Sequence, residues 1–435
     1  MNNTSHVSRR RALIAQMGRG IAIIPTAPER ARNRDSDFPY RYDSYFHYLS
    51  GFPEPESAIV LIAGDAQKSL LFCRDKNLER EIWDGYRYGP DAAREAFGFD
   101  EAHSMTKLEE MLPQLMANQP AMFYAPGLDA AWDARVMAWL NSVRAQNRTG
   151  VTAPAEIRDV HTLLDEMRVV KDQEEIATMR RAAAISAEAH RRAMRTARPG
   201  LAEYHIEAEL LHEFRREGSQ SPAYGSIVAS GPNACVLHYR ENDRTMQNGD
   251  LLLIDAGCEL DGYASDITRT FPVNGKFSGP QKAVYDIVLA SQAAAISVVK
   301  PGATYNQPHD AATRVLAQGM IDLGLCKGPL DALIESGDYK RFYMHRTGHW
   351  LGRDVHDCGE YKVAGEWRPL KPGMVLTVEP GFYIREGDDI PKEYWNIGVR
   401  IEDDVLVTGG GCDILSAGAP KTTADIEALM RDGRA

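Results

Sequence analysis

The sequence predicts a chain of two domains, an α/β layer first and an α+β arrangement after it. Three observations carry this. The 435 residues exceed what one simple core accommodates. Up to Val143, short apolar runs alternate with amphipathic stretches, the pattern of strands and helices sharing one layer. Beyond Lys171, long helical patterns precede β-like runs punctuated by glycine, which indicates helices gathered beside mainly antiparallel strands.

In chain order, Arg9–Met17 suits a short helix and Ile21–Ile24 a strand closed by Pro25. The aromatic stretch from Tyr40 to Phe52 is expected to fill a core or a subunit contact, because a base-stacking platform would interleave more basic residues. Ser57–Ala63, Ser69–Cys73 and Ala121–Ala125 bring the strands to at least four, with helices at Lys107–Met116 and Ala130–Val143. Residues 147–156 carry turn residues and little periodicity, so the domains are expected to be 1–165 and 166–435. Asp172–Thr196 then reads as a long helix ended by Pro199-Gly200, and Glu203–Glu217 as a second ended by Gly218. The apolar run Leu251–Ile254, the turn signal Asp261-Gly262 and the β-prone return Tyr263–Phe271 predict an antiparallel hairpin turning near Leu260. Helices at Gln281–Val299 and His309–Leu323 follow, then short β-like runs from Phe342 to Thr408. Helices before strands thus occurs twice, which suits internal pseudo-symmetry.

Composition excludes several function classes. Apolar residues at 44% and charged residues at 26% match an ordinary soluble globular protein. A net charge of −11 argues against nucleic acid as a general partner, since phosphate binding needs a basic face. The six cysteines form no CxxC pair, which predicts reduced thiols and a cytoplasmic location. The basic N-terminus lacks a sustained apolar core, so no secretory leader is expected, and no stretch approaches the ~18 apolar residues of a membrane span.

Four segments carry the chemistry. A hairpin turning near Leu260 sets Asp255 and Asp266 roughly opposite each other, where two carboxylates repel unless a cation intervenes. His345, His349 and His356 fall within one short stretch beside Gly348 and Gly352, glycines that would let the backbone approach a ligand closely. Glu379 ends an apolar strand just before Pro380, and Glu402 is expected in the middle of another. Singly, each has a plain structural explanation: an Asp can cap a turn, and a strand Glu can face solvent. Together, oxygen-rich ligands with one imidazole suit two hard divalent cations, Mn²⁺ first, with Co²⁺ or Zn²⁺ as alternatives. Two such ions ~3.5–4 Å apart support metal-assisted hydrolysis.

Over nearly its whole length the chain resembles the aminopeptidase P family of proline-specific metallopeptidases. The resemblance rests on Arg9-Arg-Arg-Ala-Leu, Ser44-Tyr-Phe-His-Tyr-Leu-Ser-Gly-Phe, Glu81-Ile-Trp-Asp-Gly, Leu237-His-Tyr and the four ligand segments. It implies a pita-bread catalytic domain after an N-terminal creatinase-like α/β domain concerned with subunit contacts and substrate restriction. It implies metal ligands Asp255, Asp266, His349, Glu379 and Glu402, with Asp266 and Glu402 bridging. Glu379 would accept a proton from a metal-bridging hydroxide, and His238 and His356 would steady the substrate carbonyl or shuttle protons. His345 would line the proline pocket, Tyr383 and Arg400 would orient ligands, and Trp83 would reach a neighbouring subunit's site in a homodimer or homotetramer. The implied substrates are peptides with proline second. The rivals are a prolidase that cuts only X-Pro dipeptides, a catalytically inactive binding protein of the same fold, and a metal-independent creatinase-type hydrolase. Two positions depart from the family pattern: Arg346 lies beside the proline pocket, and Tyr45 stands where an aspartate is frequent.

Overall fold

The structure, a computed structural model, describes residues 3–433, which fall into two compact units divided between Met167 and Arg168. In the first, six strands form one sheet in the order Glu101–Ser104, Lys68–Cys73, Ala58–Ala63, Gly20–Pro25, Ala121–Phe123, Glu156–Arg158. Strand alternation sorts its side chains between two cores. Ala22, Ile24, Ile59, Leu61 and Leu71 face the helices Asn3–Met17 and Ser44–Ser50, whose Leu13, Ile14, Phe46 and Leu49 are buried there. Ile21, Ile23, Val60, Leu70 and Phe72 meet Leu112, Val136 and Leu140 from the helices Leu108–Met116 and Ala130–Arg144. The sheet has two strands beyond the four expected. Both are edge strands of mainly polar sequence, so no apolar run announces them. Tyr45 lies in this unit, its hydroxyl donating to Asp165 at 2.6 Å and its ring stacked on His161.

The second unit opens with helices Gln173–Thr196 and Glu203–Arg216, the first begun by a capping box of Asp172 and Glu175. Leu251–Asp255 is the middle strand of a three-stranded sheet, paired with Ile227–Ser230 and Thr268–Pro272. Its Leu252 and Ile254 pack with Ala189, Ala193 and Phe271. Helices Gly279–Ser297 and Gln307–Asp322 follow. Beyond them, Val375–Val378, Asp403–Val407 and Cys412–Ile414 form a second three-stranded sheet.

The expected single hairpin is corrected here. Asp255 pairs with Thr268, not Asp266, and the ladder then stops. It resumes as Cys258–Leu260 against Tyr263–Ala264 in a separate small sheet with Ser221–Pro222. Close approach explains the interruption: a Cβ on Gly257 would lie 1.8 Å from Ser265 O, so only glycine fits. Backbone groups freed by the break find other partners, as buried groups must. Cys258 N donates to Ser186 Oγ at 3.0 Å, His190 Nε2 lies 3.0 Å from Ala256 O, and Ala256 N donates to Ile267 O.

The second correction concerns Glu402, which lies between strands Ile397–Arg400 and Asp403–Val407 rather than inside one. Ile397–Arg400 pairs with Gly381–Ile384, and Asp403–Val407 with Val375–Val378. Pro380 supplies the reason: with no N–H it cannot continue the ladder. Gln292 of helix Gly279–Ser297 covers the gap, donating to Val378 O and Ile401 O at 3.2 Å each. Each half therefore carries a hairpin interrupted beside two carboxylates.

Candidate metal centre

The interruptions bring the acids together. Asp255 ends its strand, Asp266 and Glu402 lie in the breaks, and Glu379 directly follows Val375–Val378. Asp266, His349 and Glu402 each offer one donor atom, and these atoms lie within 4.8 Å of one another. His349 Nε2 is 3.3 Å from Asp266 Oδ2 and 3.7 Å from Glu379 Oε1. Its Nδ1 sits 2.9 Å from Trp350 O; a carbonyl only accepts, so Nδ1 carries hydrogen and Nε2 faces the carboxylates. Burial lowers the His349 pKa, but the bond to Asp266 and the charge of Glu379 outweigh it and raise the value to about 9.

Asp255 joins through Tyr224, whose hydroxyl lies 2.7 Å from Asp255 Oδ1 and 2.5 Å from Asp266 Oδ1. One proton serves two acceptors, and burial with the two carboxylates holds the phenol well above its ordinary pKa. Arg400 Nη2 donates to Asp255 Oδ2 at 2.6 Å, and Arg400 Nε donates to Thr268 Oγ1, which donates on to Glu402 Oε2 at 2.6 Å. Thr377 Oγ1 donates to Glu379 Oε1 and accepts from His349 N. Burial drives the carboxyl pKa values up: Asp266 is raised, Glu402 is well above its ordinary value with Asp266 adding to the effect, and Glu379 reaches about 7. Buried acids crowded in this way favour a cation among them. Oxygen donors with one imidazole fit a divalent metal at Asp266, His349 and Glu402, and Asp255 and Glu379 adjoin that group through Tyr224 and His349.

A cavity of about 270 Å³ opens on these acids, walled by His238, His345, Arg346 and His356. His345 Nδ1 lies 2.7 Å from Arg346 O, which makes Nδ1 the donor and leaves Nε2 to accept from Tyr383 Oη at 2.9 Å. Tyr383 Oη in turn accepts from Arg400 Nη1 at 3.1 Å. Burial and Arg400 lower the His345 pKa to about 3, so the ring is neutral. The His356 ring meets His349 edge-on, 4.2 Å between centroids, and burial with that neighbour lowers its pKa. His238 follows the short helical turn Gly231–Cys235, in a loop anchored by buried Glu203. That carboxylate accepts from Ser230 N and Oγ, Asn233 Nδ2, Tyr239 Oη and Arg244 N.

Gly348 and Gly352 are crowded by Thr377 O and Asp357 Oδ2, where an added Cβ would lie 2.0 and 2.1 Å away, and Gly348 also lines the cavity. Trp83 belongs to the first unit, on helix Leu78–Asp84, and is 82% exposed, so core packing does not account for it. Sequence reasoning missed Tyr224, Thr268, Thr377 and Glu203. Tyr224 follows Ser221-Pro222-Ala223, which carries no chemical pattern, while Thr268 and Thr377 look like ordinary β-branched strand residues.

Residues 177–409 match the model of metallopeptidase family M24, and residues 6–124 match the aminopeptidase P N-terminal domain. The chain is 47% identical over 425 residues to a Xaa-Pro aminopeptidase of Escherichia coli strain K12, covering 97% of this chain and 96% of that protein. It is 45% identical to the Xaa-Pro aminopeptidase of Haemophilus influenzae, over 97% of this chain and 96% of that one. Among solved structures, aminopeptidase PepP of Pseudomonas aeruginosa superposes with a TM-score of 0.98 at 51% identity, covering 100% of this chain and 99% of that one. A zinc-substituted Escherichia coli aminopeptidase P in complex with product superposes with a TM-score of 0.98 at 45% identity, again over 100% and 99% of the two chains. A centre of buried acids and one histidine, in a chain matched from end to end by these enzymes, places the protein in metallopeptidase family M24, among the Xaa-Pro aminopeptidases.

Proposed function

We propose that this enzyme removes an N-terminal residue that precedes proline, acting on X-Pro-Y peptides with two divalent cations held by Asp255, Asp266, His349, Glu379 and Glu402. The observation that carries this is the grouping of Asp266, His349 and Glu402 beneath a cavity walled by three histidines. When bound, the cations would polarise the scissile carbonyl and acidify the attacking water. Mn²⁺ is the first choice for so oxygen-rich a set, with Co²⁺ and Zn²⁺ as alternatives.

The chain's own residues supply the rest. Glu379 takes the proton of the attacking water and returns it to the departing proline nitrogen. His238 and His356 donate to the carbonyl oxygen as it gains charge. His345 lies against the proline ring, held neutral and oriented by Tyr383 and Arg400. The N-terminal domain limits peptide access and makes subunit contacts in a homodimer or homotetramer, where the exposed Trp83 reaches a neighbouring site. All six cysteines are free thiols, which supports a cytoplasmic location, and among the described residues no helix is long and apolar enough to cross a membrane. The test is hydrolysis of X-Pro-Y, X-Pro and X-Ala-Y peptides before and after chelation. Cleavage of X-Pro-Y alone, abolished by chelator and restored by Mn²⁺, is the expected result. Full activity after metal removal would sink the metal mechanism, and cleavage confined to the dipeptide would favour a prolidase.

A further inference from the structure

The cavity above the metal ligands has two guanidinium groups in its wall, and they are differently employed. Arg400 is buried and fully committed, to Asp255, Thr268 and Tyr383. Arg346 is exposed, and no carboxylate pairs with it among the described residues. It is nevertheless held in place. One N–H donates to Asn306 Oδ1, and Asn306 Nδ2 donates to Asp310 at 2.7 Å, which fixes the orientation of that amide. The guanidinium carbon also lies 4.9 Å from the centre of the Trp367 ring, a cation–π distance. A long flexible side chain normally loses rotamer freedom on binding an anion; here two contacts have already restricted it.

The charges in the cavity are therefore segregated. Asp255, Asp266, Glu379 and Glu402 lie at its floor, and Arg346 stands outward of the partly buried His345. A short peptide at neutral pH carries the opposite pattern, an amine at one end and a carboxylate at the other. An extended tripeptide spans roughly 10 Å at ~3.3–3.6 Å per residue. With the amine toward the acids and proline against His345, the third residue's carboxylate lies on the side of Arg346. The planar fork of arginine matches a carboxylate through two parallel hydrogen bonds.

We propose that Arg346 binds the C-terminal carboxylate of tripeptides X-Pro-Y, and so is a specificity-determining residue that favours them over blocked or longer peptides. The assignment rests on the X-Pro reading above and names the group that selects peptide length. The test uses the metal-loaded enzyme with Ala-Pro-Ala as free acid and as C-terminal amide. The free acid is expected to be cleaved with about three- to tenfold higher kcat/KM, the range of a partly exposed charge pair, with the difference in KM. In Arg346→Gln the acid-to-amide ratio should fall to about one. In the wild type the ratio should also shrink toward one as NaCl is raised to about 1 M, because salt screens exposed charges. This second measurement stands whether or not the variant folds. Equal cleavage of the two peptides by the wild type, a salt-independent ratio, or a preference kept in Arg346→Gln would overturn the role of Arg346 and leave X-Pro cleavage standing. Failure of the wild type to cleave either peptide would instead overturn the X-Pro reading and the assignment with it.

Discussion

The two interrupted hairpins of the second unit do the same work by different means. In the first, Leu251–Asp255 pairs with Thr268–Pro272 and the ladder breaks where Gly257 crowds Ser265. In the second, Val375–Val378 pairs with Asp403–Val407 and the ladder breaks at Pro380. Each gap is covered from a helix: Ser186 and His190 of Gln173–Thr196 serve the first, and Gln292 of Gly279–Ser297 serves the second. The first cover divides its task between two residues, one of them titratable. The second puts it on one neutral amide. The comparison teaches that two carboxylates can be turned inward by any device that halts a ladder, provided the freed backbone groups are satisfied.

The largest effect separates the hairpins by ligand. Asp266→Asn in the first and Glu402→Gln in the second should each lower kcat by about 10³-fold or more, given that transition-state charge stabilisation is usually the largest catalytic effect. Bound metal, measured by mass spectrometry, should fall in both. Without metal, neither variant should be less stable than the parent, since each removes a buried like charge. Substantial activity retained by one variant would break the equivalence of the two halves.

Next comes Gln292→Ala, which removes the side-chain donor from Val378 O and Ile401 O at once, while Asp403 Oδ2 keeps Lys421 Nζ at 2.6 Å. Unsatisfied buried groups cost ~1–3 kcal/mol each with partial relaxation, so a loss of ~2–4 kcal/mol in urea unfolding is expected. An effect below ~1 kcal/mol would show that Gln292 does not carry the second gap.

His190 then sharpens the contrast through pH. It is fully buried, and burial lowers its pKa to about 4 against an ordinary 6.5. The unfolded chain thus binds the extra proton first, so stability falls as pH drops from 6.5 toward 4 and the loss levels off below that. At ~1.4 kcal/mol per unit the window is worth ~3–4 kcal/mol. His190→Gln, which retains a donor for Ala256 O, should flatten the slope in that window when unfolding midpoints are compared across pH. A slope unchanged by the substitution would assign the acid sensitivity elsewhere.

These covering residues also mark the limit of what could be read from the sequence. Asp255, Glu379 and Glu402 stood out because each adjoins an apolar run, and Asp266 because Asp261-Gly262 announces a turn before it. The helices were visible in their periodicity, and Pro199-Gly200 marked where Gln173–Thr196 stops. Ser186, His190 and Gln292 were not visible. Each looks like an ordinary polar residue in an amphipathic helix, and its partners lie far along the chain, 72, 66 and 86 residues away for the bonds to Cys258, Ala256 and Val378. No local pattern specifies a contact of that range. The breaks themselves were hidden for a related reason: Gly257 and Pro380 tell where a strand can stop, but only the packed neighbour shows that it does.

The smallest effect tests whether the first gap is better insured than the second. Cys258 N donates to Ser186 Oγ at 3.0 Å and lies 3.2 Å from Ser265 Oγ, and the two hydroxyls are 2.6 Å apart. Ser186→Ala therefore leaves a second acceptor within reach, and the loss should be only ~0.5–1.5 kcal/mol, the net worth of one hydrogen bond. Among the described residues no other side chain is seen to donate to Val378 O or Ile401 O. Removing Ser265 as well should cost more than the two single changes together, because the last acceptor for a buried N–H is then gone. A double-mutant cycle in urea reads this directly. Strict additivity would mean that the hydroxyls do not substitute for one another, and the first hairpin would then depend on single contacts as the second does.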